Sequence, residues 1–206
     1  CQHLLPYSEH GQRKRDYPLH YSEHNSWHEK FRHFNDYFSY LGYMLAESEN
    51  RVDTLILHPI KTAYLTYDRR NDWQSIKELD DSFAALIEDY GARNIPHHYG
   101  DENLMARHAS VENGVMRVGK CSYKYVVMPW MRTIDKTTYA LLQDFVAQGG
   151  KLVMEHGKPE FLEGEPYAFD DLKATATMQD IIADLEYTIE TDSKLVRSAY
   201  RTGDFG

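Results

Sequence analysis

Two strand–helix–strand runs, one after the other, restrict this chain more than any other feature. Val52-Asp-Thr-Leu-Ile-Leu-His58 is a short apolar run stopped by Pro59, the pattern of a strand covered on both faces. A helix is expected over 74–90, with Ile76, Leu79, Phe83, Leu86, Ile87 and Tyr90 as its inner stripe and Gly91 as its left-handed stop. Asn94-Ile-Pro-His-His-Tyr99 reads as a second, weaker strand. The pattern then repeats. Tyr125-Val-Val-Met-Pro129 is a buried strand, Thr133 is positioned to cap a helix over 134–148, and Lys151-Leu-Val-Met-Glu155 follows Gly149-Gly150. Such alternation predicts an α/β fold: an open, mostly parallel sheet flanked by helices.

Between the two runs, Asp101 is placed to cap a short helix through His108, and Asn113-Gly114 stands between apolar residues. Both central positions of a tight hairpin turn need positive φ, which Asn and Gly tolerate. Beyond a loop-like stretch over 156–176, a helix is expected over 177–185 and a strand near 187–200.

An N-terminal loop and helix precede the α/β pattern. Residues 1–26 are rich in His, Tyr, Pro and charge. In the helix expected over 27–47, Trp27, Phe31, Phe34, Phe38, Leu41 and Leu45 share one face. Ser26 and Glu29 have capping-box spacing. The face is wide and aromatic and implies a large packing partner. The chain opens on Cys1 and closes on Tyr200-Arg-Thr-Gly-Asp-Phe-Gly206, so both ends read as cuts within a longer protein.

Composition removes several classes of function. Over 206 residues, 23 Lys+Arg against 32 Asp+Glu leave a net charge of −9, which disfavours binding along a nucleic-acid backbone. No apolar run approaches the roughly 18–20 residues of a membrane span. Cys1 and Cys121 are too few for a disulfide framework, so packing must supply the stability.

Motifs for chemistry are sparse. His58-Pro-Ile-Lys-Thr-Ala-Tyr64, after the first strand, has no glycine to admit a pyrophosphate, and no cofactor is expected. His20-Tyr-Ser-Glu23-His24 matches an inverted zinc-peptidase pattern, but it lies in a loop beside Pro18 rather than on one helix face, so no metal site is expected. Cys121 precedes a strand, the wrong side for a nucleophile elbow, and reads as structural. The cluster Arg13-Lys-Arg15-Asp16-Tyr17 reads equally as a solvated loop or as a contact for a hydroxyl-rich ligand. Its guanidinium and carboxylate groups make directional hydrogen bonds, while Tyr7, Tyr17, Tyr21 and Trp27 offer flat faces to sugar rings. Glu9, Asp16, Glu23 and Glu29 are acidic candidates for glycosidic chemistry, but the required separation cannot be read from sequence.

Two stretches resemble known families. Tyr125-Val-Val-Met-Pro129 followed by Lys136 through Val153, with its Gly149-Gly150 break, is similar to the amidotransferase-like domain of glycoside hydrolases, of flavodoxin or class I amidotransferase type, including the family 42 β-galactosidase trimerisation domain. Gly11 through Pro18, Phe34 through Leu41, Val52 through Pro59, and Tyr99 through His108 with the 113–114 hairpin resemble bacterial glycosidases related to family 106 α-L-rhamnosidases. The resemblance implies that 1–50 is the end of a (β/α)₈ barrel, 51–170 an amidotransferase-like domain without its Cys-His-Glu machinery, and 171–206 a linker helix and the start of a further β-rich domain.

It also implies a non-catalytic part of an α-L-rhamnosidase-like enzyme, inverting if that relation holds. The part would serve as scaffold, oligomer interface and donor of a pocket-wall loop bearing Arg13, Arg15, Asp16 and Tyr17. Catalytic carboxylates would lie upstream, and carbohydrate would be met through the parent enzyme. The cytoplasm is favoured over export. The rival expectation is a stand-alone α/β binding or interaction module without enzymatic activity, and a thiol- or metal-dependent hydrolase ranks last.

Overall fold

The computed structural model describes residues 26–70, 73–187, 189, 191, 193 and 195–203. The chain divides into two compact units, one formed by Cys1–Glu49 with Arg201–Gly206, the other by Asn50–Tyr200.

In the first unit, a 3₁₀ turn at His28–Lys30 leads into helix α1, Phe31–Ala46. The expected capping box does not form. Trp27 stands at the cap of the turn and Lys30 at that of α1, neither with a side-chain cap bond. The tighter turn separates Ser26 from the helix it was expected to start. At the other end, Arg201 Nη2 donates to the carbonyls of Leu45 (2.9 Å) and Ser48 (2.6 Å), and its Nε donates to Ser48 Oγ (2.7 Å). A guanidinium there satisfies carbonyls that the helix leaves unpaired.

The second unit is built on four parallel strands: β1 (Thr54–Leu57), β2 (His97–Gly100), β3 (Tyr125–Met128) and β4 (Lys151–Met154). Their spatial order is β2-β1-β3-β4. Thr54 pairs with both His97 and Tyr125, and Val126 pairs with Leu152. This is the open parallel α/β sheet that the alternation predicts.

Strand periodicity divides the core in two. Leu55, Leu57, Val126, Met128 and Leu152 face one side. There they meet Tyr139, Leu142 and Phe145 of helix α5 (Lys136–Ala147) and Met105 of helix α4 (Glu102–His108). Ile56, Tyr125, Val127 and Val153 face the other side, against Leu86 and Tyr90 of helix α3 (Gln74–Ala92) and Ile181 of helix α6 (Met178–Ala183). Helix α2 (Ile60–Thr66) follows β1 directly. An antiparallel meander of Ala109–Glu112, Val115–Val118 and Cys121–Tyr123 adds Met116 and Tyr123 to the first core.

Asp101 caps α4 by accepting from the Leu104 amide at 2.9 Å, as expected. Asn113 and Gly114 both have positive φ, 53° and 74°, and form the predicted turn. Three local expectations change. Gly91 lies inside α3, and the left-handed residue is Asn94 at φ 55°. There the Ile95 amide reaches the Tyr90 carbonyl and the Asn94 amide reaches Gly91, a Schellman stop that Asn serves as well as Gly. Thr133 does not cap α5. It belongs to the two-residue strand Thr133–Ile134, where its hydroxyl accepts from the Gly164 amide, and Asp135 takes the cap position. Finally, no described residue of 187–200 is in a strand, and only Arg201–Thr202 is extended in that region.

Candidate functional site

In open α/β sheets, ligands are met beyond the carboxyl ends of the strands, at the point where strand order reverses. Here that point lies between β1 and β3, and protein fills it. The Thr62 hydroxyl of α2 accepts from the amides of Arg132 (3.0 Å) and Thr133 (3.3 Å). Lys61 Nζ lies 3.2 Å from Asp135 Oδ2 and donates to Asn103 Oδ1 at 3.3 Å. These bonds lock the β1 and β3 turns to each other.

Glu102 lies beneath this lock and is fully buried. Its Oε2 accepts from the Asp135 amide at the start of α5 (2.8 Å), so a carboxylate from α4 does what a local cap would do. Its Oε1 has no partner among the described residues, nor does the buried Thr138 hydroxyl. Burial pushes the Glu102 carboxyl above the ordinary range, against the opposing pull of the Asp135 amide and the nearby Thr138 hydroxyl and Lys61 charge.

The accessible part of this edge lies beside β1 and β2. The His58 amide donates to the Gly100 carbonyl (3.0 Å) and aligns the two strand ends. His58, Phe83, Tyr99 and Asp101 line a hollow of about 270 Å³. A smaller one of about 150 Å³ shares His58 and Phe83 and is bordered by Leu79 and Asp80. The rings pack at steep angles: His58 to Phe83 at 5.6 Å and 67°, Phe83 to Tyr99 at 6.0 Å and 53°, and His97 to Tyr99 at 5.6 Å and 73°. Tyr99 is 53% exposed.

A hollow of about 280 Å³ lies at the opposite edge, lined by Asp53, Lys124, Tyr125, Asp184 and Tyr187 among others. Part of its charge is already paired, and Arg51 and Glu186 complete the charged lining. Lys124 pairs with Asp53 at 2.7 Å, and Asp184 is held by Lys151 and the Tyr125 hydroxyl. The carboxyl-end hollow stands at the strand ends where open α/β sheets meet ligands and is the candidate site.

No protein-family model matches the chain, and no curated protein matches it. A solved structure with a similar region is Gan42B, a GH42 β-galactosidase. It has 19% identity and a TM-score of 0.42, over 59% of this chain and 16% of that one. The chain therefore spans a small part of the length of that protein.

Arg13, Arg15, Asp16 and Tyr17 lie outside the described residues, as do Glu9, His20, Glu23 and His24. Glu29 is exposed on the 3₁₀ turn. Cys121 is exposed at the start of a meander strand, and the turn after β3 opens on Pro129 and Trp130, with no nucleophile. Among the described residues, no group of three or more His, Cys, Asp or Glu is placed to hold a metal ion, and no helix is long and apolar enough to cross a membrane. Sequence reasoning missed the aromatic hollow. His58 and Tyr99 each end a strand, which is a usable signal, but Phe83 looked like any other core position of α3.

Proposed function

We propose that this chain is a non-catalytic α/β portion of a larger glycoside hydrolase, α-L-rhamnosidase-like, that supports a catalytic barrel and meets carbohydrate only through it. In this reading residues 1–50 complete the barrel, 51–170 form the supporting domain, and 171–206 lead onward. Arg13, Arg15, Asp16 and Tyr17 stand on a loop at the pocket wall, and the module provides an oligomer interface.

One observation carries the reading. α1 has no buried residue, although its apolar face is dense with rings. Phe34 is 52% exposed and Phe38 49%; Phe31 stacks on Phe34 at 5.4 Å, and Phe34 meets Phe38 at 4.5 Å in a tilted contact. Burying such rings is worth about 1.5–3 kcal/mol each, and a helix patterned this way is made to lean on another body. The sequence resemblance supplies the identity of that body as a barrel.

The test is direct. Nitrophenyl rhamnosides and galactosides offered to the purified chain should give no turnover above a blank, and the gene should continue upstream into barrel-encoding sequence. Turnover by this chain, or an in-frame stop immediately before the first codon, would overturn the proposal. The second reading, a stand-alone binding module, is favoured by the open hollow at His58 and Tyr99, and the in-frame stop would support it.

A further inference from the structure

We infer that the hollow at the carboxyl ends of β1 and β2 is a binding site for a compact alkylammonium group, held by aromatic walls and the Asp101 carboxylate. The inference does not depend on the glycoside-hydrolase reading.

The argument starts from the lining. Phe83, Tyr99 and His58 supply three rings whose planes meet at 53° and 67°. Flat aromatic ligands need parallel walls, and these rings offer none. Non-parallel rings around a compact space suit a rounded ligand, and a ring face attracts a cation through its quadrupole. Asp101 adds a formal charge. Its Oδ1 accepts from the Leu104 amide, while its Oδ2 has no partner among the described residues. The side chain of His58 likewise has no hydrogen-bond partner among the described residues, only its ring contact with Phe83.

Charge decides between ligand classes. No Lys or Arg lines either hollow, and Asp101 and Asp80 are the charged groups that do. Lys61, whose charge feels Asp101, is committed to Asp135 and Asn103. An anion would meet carboxylates alone. A pyranose has hydroxyls around its whole ring and, among the described residues, would find hydrogen-bonding side chains only in His58, Asp101 and Tyr99. A methylated ammonium needs one carboxylate and apolar walls, which is what these residues provide, and the net charge of −9 favours its approach.

The probe is choline, titrated into the ¹⁵N-labelled chain at constant ionic strength while amide shifts are followed. Saturable shifts centred on His58, Phe83, Tyr99 and Asp101 are expected, with at least roughly fivefold weaker binding of the uncharged isostere 3,3-dimethyl-1-butanol. Tyr99→Ala should weaken choline binding by a similar factor and Tyr99→Phe should retain it. Asp101→Asn, which keeps a good capping residue, should also weaken it. The inference is overturned by equal binding of the isostere, by shifts centred elsewhere, by the absence of saturation, or by a methyl galactoside that outcompetes choline at these residues.

Discussion

Lys151 Nζ lies 2.6 Å from Asp184 Oδ2, and the Tyr125 hydroxyl joins both groups. Tyr125 donates to Asp184 Oδ2 at 2.7 Å and accepts from Lys151 at 2.9 Å. This three-way contact ties the residue after α6 to the amino ends of β3 and β4. The two charges are nearly half exposed, so their attraction is screened. The tyrosine ring is buried, and its hydroxyl is the costly group to disturb. Tyr125→Phe should lower unfolding stability by about 1 kcal/mol, read as a lower urea midpoint at unchanged slope.

The same contact predicts behaviour in acid. Lys151 and the Tyr125 hydroxyl hold the Asp184 carboxyl below its ordinary 3.8. A depressed carboxyl contributes stability above its unfolded value and loses it as pH falls through the folded one. Asp184→Asn should therefore be less stable than the parent at neutral pH. The two proteins should converge as the pH drops below about 3.8, the ordinary value for an aspartate, in parallel acid titrations followed by circular dichroism.

Glu102 has the opposite sign. Burial raises its carboxyl above 4.5, so its contribution is fully present below that value and is lost as pH rises through the folded one. Glu102→Gln keeps an acceptor for the Asp135 amide and adds a donor for Thr138, and should flatten this part of the stability–pH curve. Glu102→Ala leaves the Asp135 amide and a cavity behind, and should cost about 2–4 kcal/mol. Denaturant melts across pH 4–8 distinguish the two variants. A glutamine variant with the parental pH profile would contradict this account.

Gly150 sits against the core. A Cβ there would stand 2.5 Å from the Phe145 ring, which is itself fully buried. Gly150→Ala should cost about 1–3 kcal/mol through overpacking. Combined with Phe145→Leu, which frees space at that point, it should cost less than the sum of the single changes. Thermal melts of the four proteins in this cycle give the coupling.

Gly114→Ala tests the hairpin by another route. The position has φ of 74°, and a Cβ would lie 2.8 Å from the Gln148 carbonyl oxygen, which is backbone and cannot swing aside. A loss of at least about 1 kcal/mol is expected in chemical denaturation. Asn113→Gly should be close to neutral.

The sheet was legible in the sequence because its strands are continuous apolar runs and its helices carry clear stripes. Val126 and Val127 serve opposite cores, and a two-faced run is what a central parallel strand requires. Helix ends were harder to read. Asn94 took the left-handed role expected of Gly91 because the stop depends on where the last carbonyls point, and Asn tolerates the same φ. Asp101 was legible as a cap, because capping is local. Glu102 was not, since its partner at Asp135 comes from a different element. The hollow was hidden for the same reason: His58, Phe83 and Tyr99 come from three elements and meet only once the sheet exists.

The pairing of Thr54 with Tyr125 has a consequence for synthesis. β1 emerges from the ribosome long before its central neighbour β3, and neither of its greasy sides can be fully covered until then. The nascent protein therefore passes through a stage in which a sticky central segment waits for its mate.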